Sequence, residues 1–233
     1  MKGILYYTDN RLDPMIMAIA QQQMLMSGLP IVSVSLEPMA FGDNVVVNLI
    51  RGVVTMHRQI LAGLERSKAD MVFFCEHDVL YHQSHFAFTP PEDDTYYFNT
   101  NVWRWWFRNN HFITYDGLSS LSGMCANREI LITHYRERLR QIEENGWENG
   151  RDPQWARGIV GHAPGRFSGE KSIYWRSEFP NIDIRHSQTL TSAKVRLNRF
   201  KHLPMNWQEA KYGDIKEWDL RKMFSIEDEK HVA

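Results

Sequence analysis

The order of the apolar runs in the first third of this chain constrains its fold more than any other feature. Residues 4–8 (Ile-Leu-Tyr-Tyr-Thr) form a short apolar run that stops at Asp9-Asn10-Arg11. Residues 14–27 place Met15, Ile16, Ile19, Ala20 and Met26 at helical spacing, and Gly28 closes the segment. Ile31 to Leu36 is a second apolar run. Residues 51–66 form a second helical pattern with Val54, Ile60, Leu61 and Leu64 toward the core. Asp70 to Cys75 is a third apolar run that leads straight into Glu76-His77-Asp78. Strand, helix, strand, helix, strand in this order predicts an α/β fold with a mostly parallel sheet and helices on both faces. Runs that are apolar throughout, rather than alternating, fit strands buried on both faces. Ligands of such sheets bind beyond the carboxyl ends of the strands. The polar residues at those ends are Thr8 to Arg11, Glu37, and Glu76 to Asp78, and the fold is expected to bring them to one edge.

The remainder is less regular. Tyr96 to Val102 reads as a strand, followed at once by Trp103, Trp105 and Trp106. Gly123-Met-Cys-Ala-Asn127 precedes a long helix, Arg128 to Asn145, closed by Gly146. Residues 147–180 are rich in Gly, Pro, Arg and Trp with little periodicity, Asn181 to His186 is a short strand, and 203–233 hold polar turns and a charged tail. Without repeats or a linker, the 233 residues are expected to form one domain, 1–233, divided at about residues 100 and 202.

Composition removes several classes. With 43% hydrophobic and 24% charged residues the chain is neither disordered nor fibrous. No apolar stretch is long enough for a membrane-spanning helix, so no membrane insertion is expected. The N-terminus lacks a signal peptide's apolar run, which predicts a cytoplasmic protein. The two cysteines, Cys75 and Cys125, sit in apolar contexts and are expected to be buried free thiols.

The chemistry lies at Glu76-His77-Asp78. A carboxylate in a partly dry cleft is costly unless a cation balances it, and a hard divalent ion does so. Carboxylates at i and i+2 point to the same side of an extended segment. An acidic turn emerging into solvent is the competing reading, and the pattern alone leaves both open.

At this point the chain resembles a family. Glu76-His77-Asp78 at a strand end resembles the Asp-x-Asp element of nucleotide-sugar-dependent glycosyltransferases of the GT-A, Rossmann-like fold, family-2-like. His57-Arg58-Gln59 with Ala62-Gly63-Leu64 is similar to their Ala-Arg-Asn-x-Gly segment. Ser122-Gly123-Met124-Cys125-Ala126-Asn127-Arg128-Glu129 resembles the start of their acceptor-side helix, and Asp183-Ile184-Arg185-His186 the strand that ends in a metal-binding His. The likeness spans roughly residues 4–195, and it extends to enzymes encoded by tailed bacteriophages, whose acceptor is often a modified base in viral DNA. Glu76 stands where the family has Asp, and Gln59 where it has Asn.

The resemblance implies a manganese or magnesium ion held by Asp78, Glu76 and His186, with His162 and His202 as other histidine candidates. It implies a nucleotide-sugar donor, UDP-sugar first, bound by residues 1–100 through Thr8, Glu37, Arg58, Glu76 and His77, with Arg51 a weaker candidate. Residues 101–202 would bind the acceptor through an irregular C-terminal region, with 203–233 an extension. An inverting transfer needs a carboxylate to take the acceptor's proton. Glu148, Asp152 and Glu178 are the candidates. A retaining transfer needs none.

The aromatic cluster Trp103, Trp105, Trp106 and Phe107, interleaved with Arg104 and Arg108, reads either as core or as a platform for a sugar ring or nucleobase. Charge is unevenly spread. Residues 1–150 hold 12 basic and 17 acidic residues, but 151–202 hold 10 and 4, among them Arg185, Lys194, Arg196, Arg199 and Lys201. A basic segment beside the expected site suits a DNA acceptor, a hydroxymethylpyrimidine first. A surface glycan or small sugar is the alternative. A nucleotidyltransferase shares the sheet and acidic site, but Thr8-Asp9-Asn10-Arg11 lacks that class's Gly-rich loop. A non-catalytic nucleic-acid-binding domain built on 151–202 is a third reading.

Overall fold

The computed structural model describes residues 1–118, 120–147, 171–187, 196, 198, 200 and 202–227. The parallel sheet expected from the sequence is present. β1 (Lys2–Thr8), β2 (Ile31–Ser35), β3 (Asp43–Val46) and β4 (Met71–Glu76) run parallel in the order β4-β1-β2-β3. β9 (Met124–Asn127) joins antiparallel beside β4. β6 (Tyr96–Asn99) and its parallel neighbour β10 (Ser172–Trp175) complete this first sheet on that side. β1 and β2 are buried almost throughout, as their unbroken apolar runs predict.

Helices cover both faces. α1 (Pro14–Leu25) begins at Asp13, whose carboxylate accepts the Met15 N–H at 2.8 Å, with Pro14 at the first helical position. Its Ile16, Ala20 and Met24 pack with Tyr6, Phe73 and Cys75. On the opposite face α2 (Val53–Arg66) and α4 (Arg128–Asn145) set Ile60, Leu64, Leu131 and Tyr135 against Leu5, Val34, Phe74 and Phe98. A Cβ on Gly63 would lie 2.2 Å from a Leu5 methyl and 2.7 Å from one of Val34, so only glycine lets α2 sit this close to β1 and β2. α4 starts at Asn127, whose side chain accepts the Glu129 N–H, and ends at Gly146 with φ 74°.

A second sheet flanks the first across the α1-side core, in the order β12-β8-β7-β11-β5. Its strands are β5 (Val79–Leu80), β7 (Val102–Trp106), β8 (Phe112–Thr114), β11 (Asn181–Arg185) and β12 (Gln208–Ala210). The single strand expected over Tyr96–Val102 is therefore two. Asn99 and Asn101 bend the chain from the first sheet into the second. The segment between β10 and β11 makes the same crossing in parallel. Both cross at one buried polar knot: Asn101 Nδ2 donates to the Ser177 carbonyl at 2.7 Å, and Asn99 Nδ2 to Ser177 Oγ at 2.9 Å. Strand β10 lies in the stretch whose sequence lacks periodicity. Cys75 and Cys125 are buried and unbridged. No helix among the described residues is long and apolar enough to cross a membrane.

Candidate functional site

β1 and β4 pair in parallel and end together, with Tyr7 opposite Glu76. Their continuations, Thr8-Asp9 and His77-Asp78, thus emerge on one edge. After Glu76 the chain turns at His77-Asp78 and enters β5, which pairs antiparallel with β11, Val79 opposite Asp183. The Ile184 N–H donates to the Asp78 carbonyl at 2.9 Å. This brings His186, the residue after β11, against Asp78, with Nε2 3.4 Å from Oδ2. One ligand atom from each of His77, Asp78 and His186 lies within 4.8 Å of the others.

The surroundings hold these groups in place. Thr8 is buried, and its Oγ1 is 2.6 Å from Nδ1 of His77. Asp9 pairs with Arg51 and has an oxygen 4.0 Å from the same imidazole nitrogen. The Gln59 amide donates to the Thr8 carbonyl at 2.8 Å, tying α2 to the end of β1. Asn10, at φ 61°, accepts the N–H groups of Leu36 and Glu37 on its side-chain oxygen and so clamps the end of β2 alongside. Glu76 accepts from the Tyr7 hydroxyl at 2.7 Å. Asp183 takes both Arg185 and Arg104, the latter at 3.4 Å, and Arg104 also donates to the Tyr115 hydroxyl at 2.8 Å.

Glu76, Asp78 and Asp183 therefore lie within electrostatic reach of one another and of two guanidinium groups that pair with Asp183. Burial, and then the charge of Asp78, push the Glu76 carboxyl upward. Burial also pushes Asp78 up, but His186, His77 and Arg185 outweigh it and hold this carboxyl below the ordinary range. Burial likewise raises Asp183. Surplus negative charge in a partly dry cleft, beside two imidazoles, is a donor set that fits a divalent cation.

No family model matches the sequence, and no curated protein matches it. Solved structures do resemble it. A nucleotidyl transferase from Methanothermobacter thermautotroptrophicus is 12% identical with a TM-score of 0.42, over 65% of this chain and 88% of that one. A glycosyltransferase involved in glycosylation of the major capsid of PBCV-1 is 9% identical with a TM-score of 0.47, over 75% and 81%. HddC from Yersinia pseudotuberculosis is 10% identical with a TM-score of 0.44, over 78% and 93%. These likenesses are too remote for an activity to pass from them to this chain.

Of the residues singled out by sequence, Thr8, Glu76, His77, Asp78 and His186 come together. The geometry groups His77, not Glu76, with Asp78 and His186. The argument from i and i+2 holds for an extended segment, whereas here the chain turns after Glu76, whose oxygen faces Tyr7. Glu37 has its backbone at the same edge and its side chain exposed; Arg58 is exposed on α2 between buried His57 and Gln59. Glu148, Asp152 and His162 lie outside the described residues. Glu178 is exposed in the segment that leads into β11, at the opposite end of that strand from His186, so the structure does not bring it to this cleft. His202 is exposed. Arg185, counted above as part of a basic surface, is turned inward onto Asp183. Arg196 is exposed, and Lys194, Arg199 and Lys201 lie outside the described residues. Asp9 and Asp183 enter the site without having been singled out as its residues, and Arg104, named beside the aromatic cluster, enters it as a partner of Asp183. Asp183 stood in the quoted Asp-Ile-Arg-His run and Asp9 in the polar end of the first strand, which was the available signal.

Proposed function

We propose that this chain is a metal-dependent glycosyltransferase that moves a sugar from a nucleoside-diphosphate sugar to a hydroxyl acceptor. The observation that carries this reading is the His77, Asp78 and His186 cluster at the carboxyl edge of β1 and β4, where a sheet of this kind takes its ligand. His77, Asp78 and His186 would hold the ion. Two imidazoles suit manganese better than magnesium, which favours oxygen ligands. When bound, the ion supplies positive charge against the departing diphosphate.

The chain's own groups do the rest. Thr8 and Asp9 orient the His77 ring, and Tyr7 fixes Glu76. The edge formed by Thr8, Asn10 and Glu37, with Arg51 just before α2 and Arg58 exposed on it, is the proposed seat of the donor's nucleoside, with UDP the first to try. Glu148 and Asp152 are the proposed acceptors of the hydroxyl proton. Of the two acceptor classes, the commitment of Arg104 and Arg185 to Asp183 supports a saccharide over a hydroxymethylpyrimidine in DNA, since neither cation is left for a phosphate.

The test is a thermal-shift series of UDP, GDP, CDP, ADP and dTDP, each with and without manganese. One nucleotide is expected to stabilise the protein only with the metal, and the Asp78→Asn variant to lose that shift. Stabilisation by none of them, or an equal shift in excess chelator, would overturn the reading. Transfer to hydroxymethylated duplex DNA that weakens steeply with salt would move the acceptor to DNA.

A further inference from the structure

The three tryptophans of β7 do not share one environment. Trp103 and Trp105 point to the same face, where Trp105 is fully buried and stacked on Phe112 (ring centroids 5.6 Å apart, 14° between planes) and Trp103 packs against the same core. Arg104 and Trp106 point to the other face. Trp106 remains 41% exposed, and among the described residues it pairs with no other ring.

Its position gives this exposure meaning. Trp106 is the last residue of β7 and lies opposite Arg185 in the parallel pairing with β11, so His186 follows directly beside it. The Phe107 N–H donates to the Arg185 carbonyl at 2.9 Å, which fixes the end of the strand there. A group stacked on Trp106 would thus lie at the carboxyl end of β11, next to Arg185, the residue before His186. The cations that share this face, Arg104 and Arg185, are both held by Asp183, and Arg108 in the following turn is folded over Phe107, 5.3 Å from the ring centre. Among the described residues, the face offers a flat apolar ring whose two neighbouring cations, Arg104 and Arg185, are held on Asp183. This suits a neutral ring with an apolar face and hydroxyl edges better than a phosphate-bearing one.

We infer that Trp106 is the stacking platform for a neutral pyranose ring of the acceptor. This rests on the glycosyltransferase reading for the word acceptor, while ring binding at Trp106 can be measured without it. The measurement is saturation-transfer NMR on the metal-free protein with the methyl glycosides of glucose, galactose, mannose and N-acetylglucosamine. At least one is expected to receive saturation on its ring protons. Trp106→Ala is expected to weaken that signal at least fivefold and Trp106→Tyr to restore most of it. Thermal melting checks that the variants fold, which the exposure of this side chain favours. No glycoside signal in the unaltered protein, or an undiminished signal in a folded Trp106→Ala, would overturn the inference. So would loss of binding to a hydroxymethylcytosine oligonucleotide in place of the glycosides, which would assign the ring to a nucleobase. If glycosides bind through Trp106 while no nucleotide stabilises the protein with manganese, the platform stands and the glycosyltransferase reading falls.

Discussion

The two ends of β11 bury polar groups by opposite means. At its amino end the groups are neutral and hydrogen-bond one another. Asn99 gives its amide to His85 Nδ1 at 3.0 Å and to Ser177, and its oxygen accepts the N–H groups of Asn101 and Ser177. Asn181 approaches the same His85 nitrogen at 3.3 Å and accepts the His82 N–H. At its carboxyl end Asp183, Arg185 and His186 meet Asp78, Glu76 and Arg104, all ionisable, with carboxylates in excess. A neutral hydrogen-bonded network strengthens a fold, because removing a member orphans its buried partners. Crowded carboxylates weaken it, because burial and mutual repulsion both oppose their charge. One strand thus carries a structural joint at one end and the proposed ligand site at the other.

The sharpest way to break this comparison is Asp78→Asn. Nucleotide stabilisation by manganese and sugar transfer are expected to fall by at least about 100-fold. The metal-free protein should melt only slightly lower, since losing the charge relieves Glu76 and Asp183 but leaves His77, His186 and Arg185 without the carboxylate they hold below its ordinary range. A marked drop in metal-free melting temperature would show Asp78 to be structural. Asn99→Ala should do the reverse. It is expected to cost on the order of 3 kcal/mol in urea unfolding, through the partners it orphans, while the metal dependence of what remains folded is kept. Thr8→Val tests the support of the site. Losing the hydroxyl on His77 should weaken manganese binding by about tenfold in a metal titration, the usual scale for such supporting contacts.

A further effect concerns pH. Burial holds His85 down at about 3, against an ordinary value of 6.5. Between these values the unfolded chain takes up a proton that the folded one refuses. Stability from this group is complete above about pH 6.5 and is lost as pH falls toward 3, at no more than about 1.4 kcal/mol per pH unit. The slope of unfolding free energy against pH should be shallower in His85→Gln between pH 6 and 4. Equal slopes in the two proteins would remove His85 from the joint.

The parallel half of the fold was legible because local and global signals agree there. Unbroken apolar runs mark β1, β2 and β4, Asp13-Pro14 and Asn127 mark helix starts, and Gly28 and Gly146 mark helix ends. The site was half legible for the same reason: strand ends announce Thr8, His77 and Asp78. What local pattern cannot carry is the second sheet. Asn99 and Asn101 fall inside a run that reads as one strand, and only their bonds to Ser177, far along the chain, show that it changes sheets. The roles of Asp183 and Arg185 depend on the register of β11 against β5 and β7. That register turns a residue counted as surface charge into the partner of a buried acid. Trp105 and Trp106, adjacent in sequence, separate into core and surface by strand alternation alone.

The pairing of β5 with β11 also sets when the site can exist. His77 and Asp78 leave the ribosome early, but His186 reaches them only after both crossings between the sheets have been made. A chain still missing β11 would hold two of the proposed ligands on a turn and no third. Affinity for manganese should therefore appear late and abruptly during synthesis or refolding, so that uptake of the ion reports that the second sheet has closed on the first.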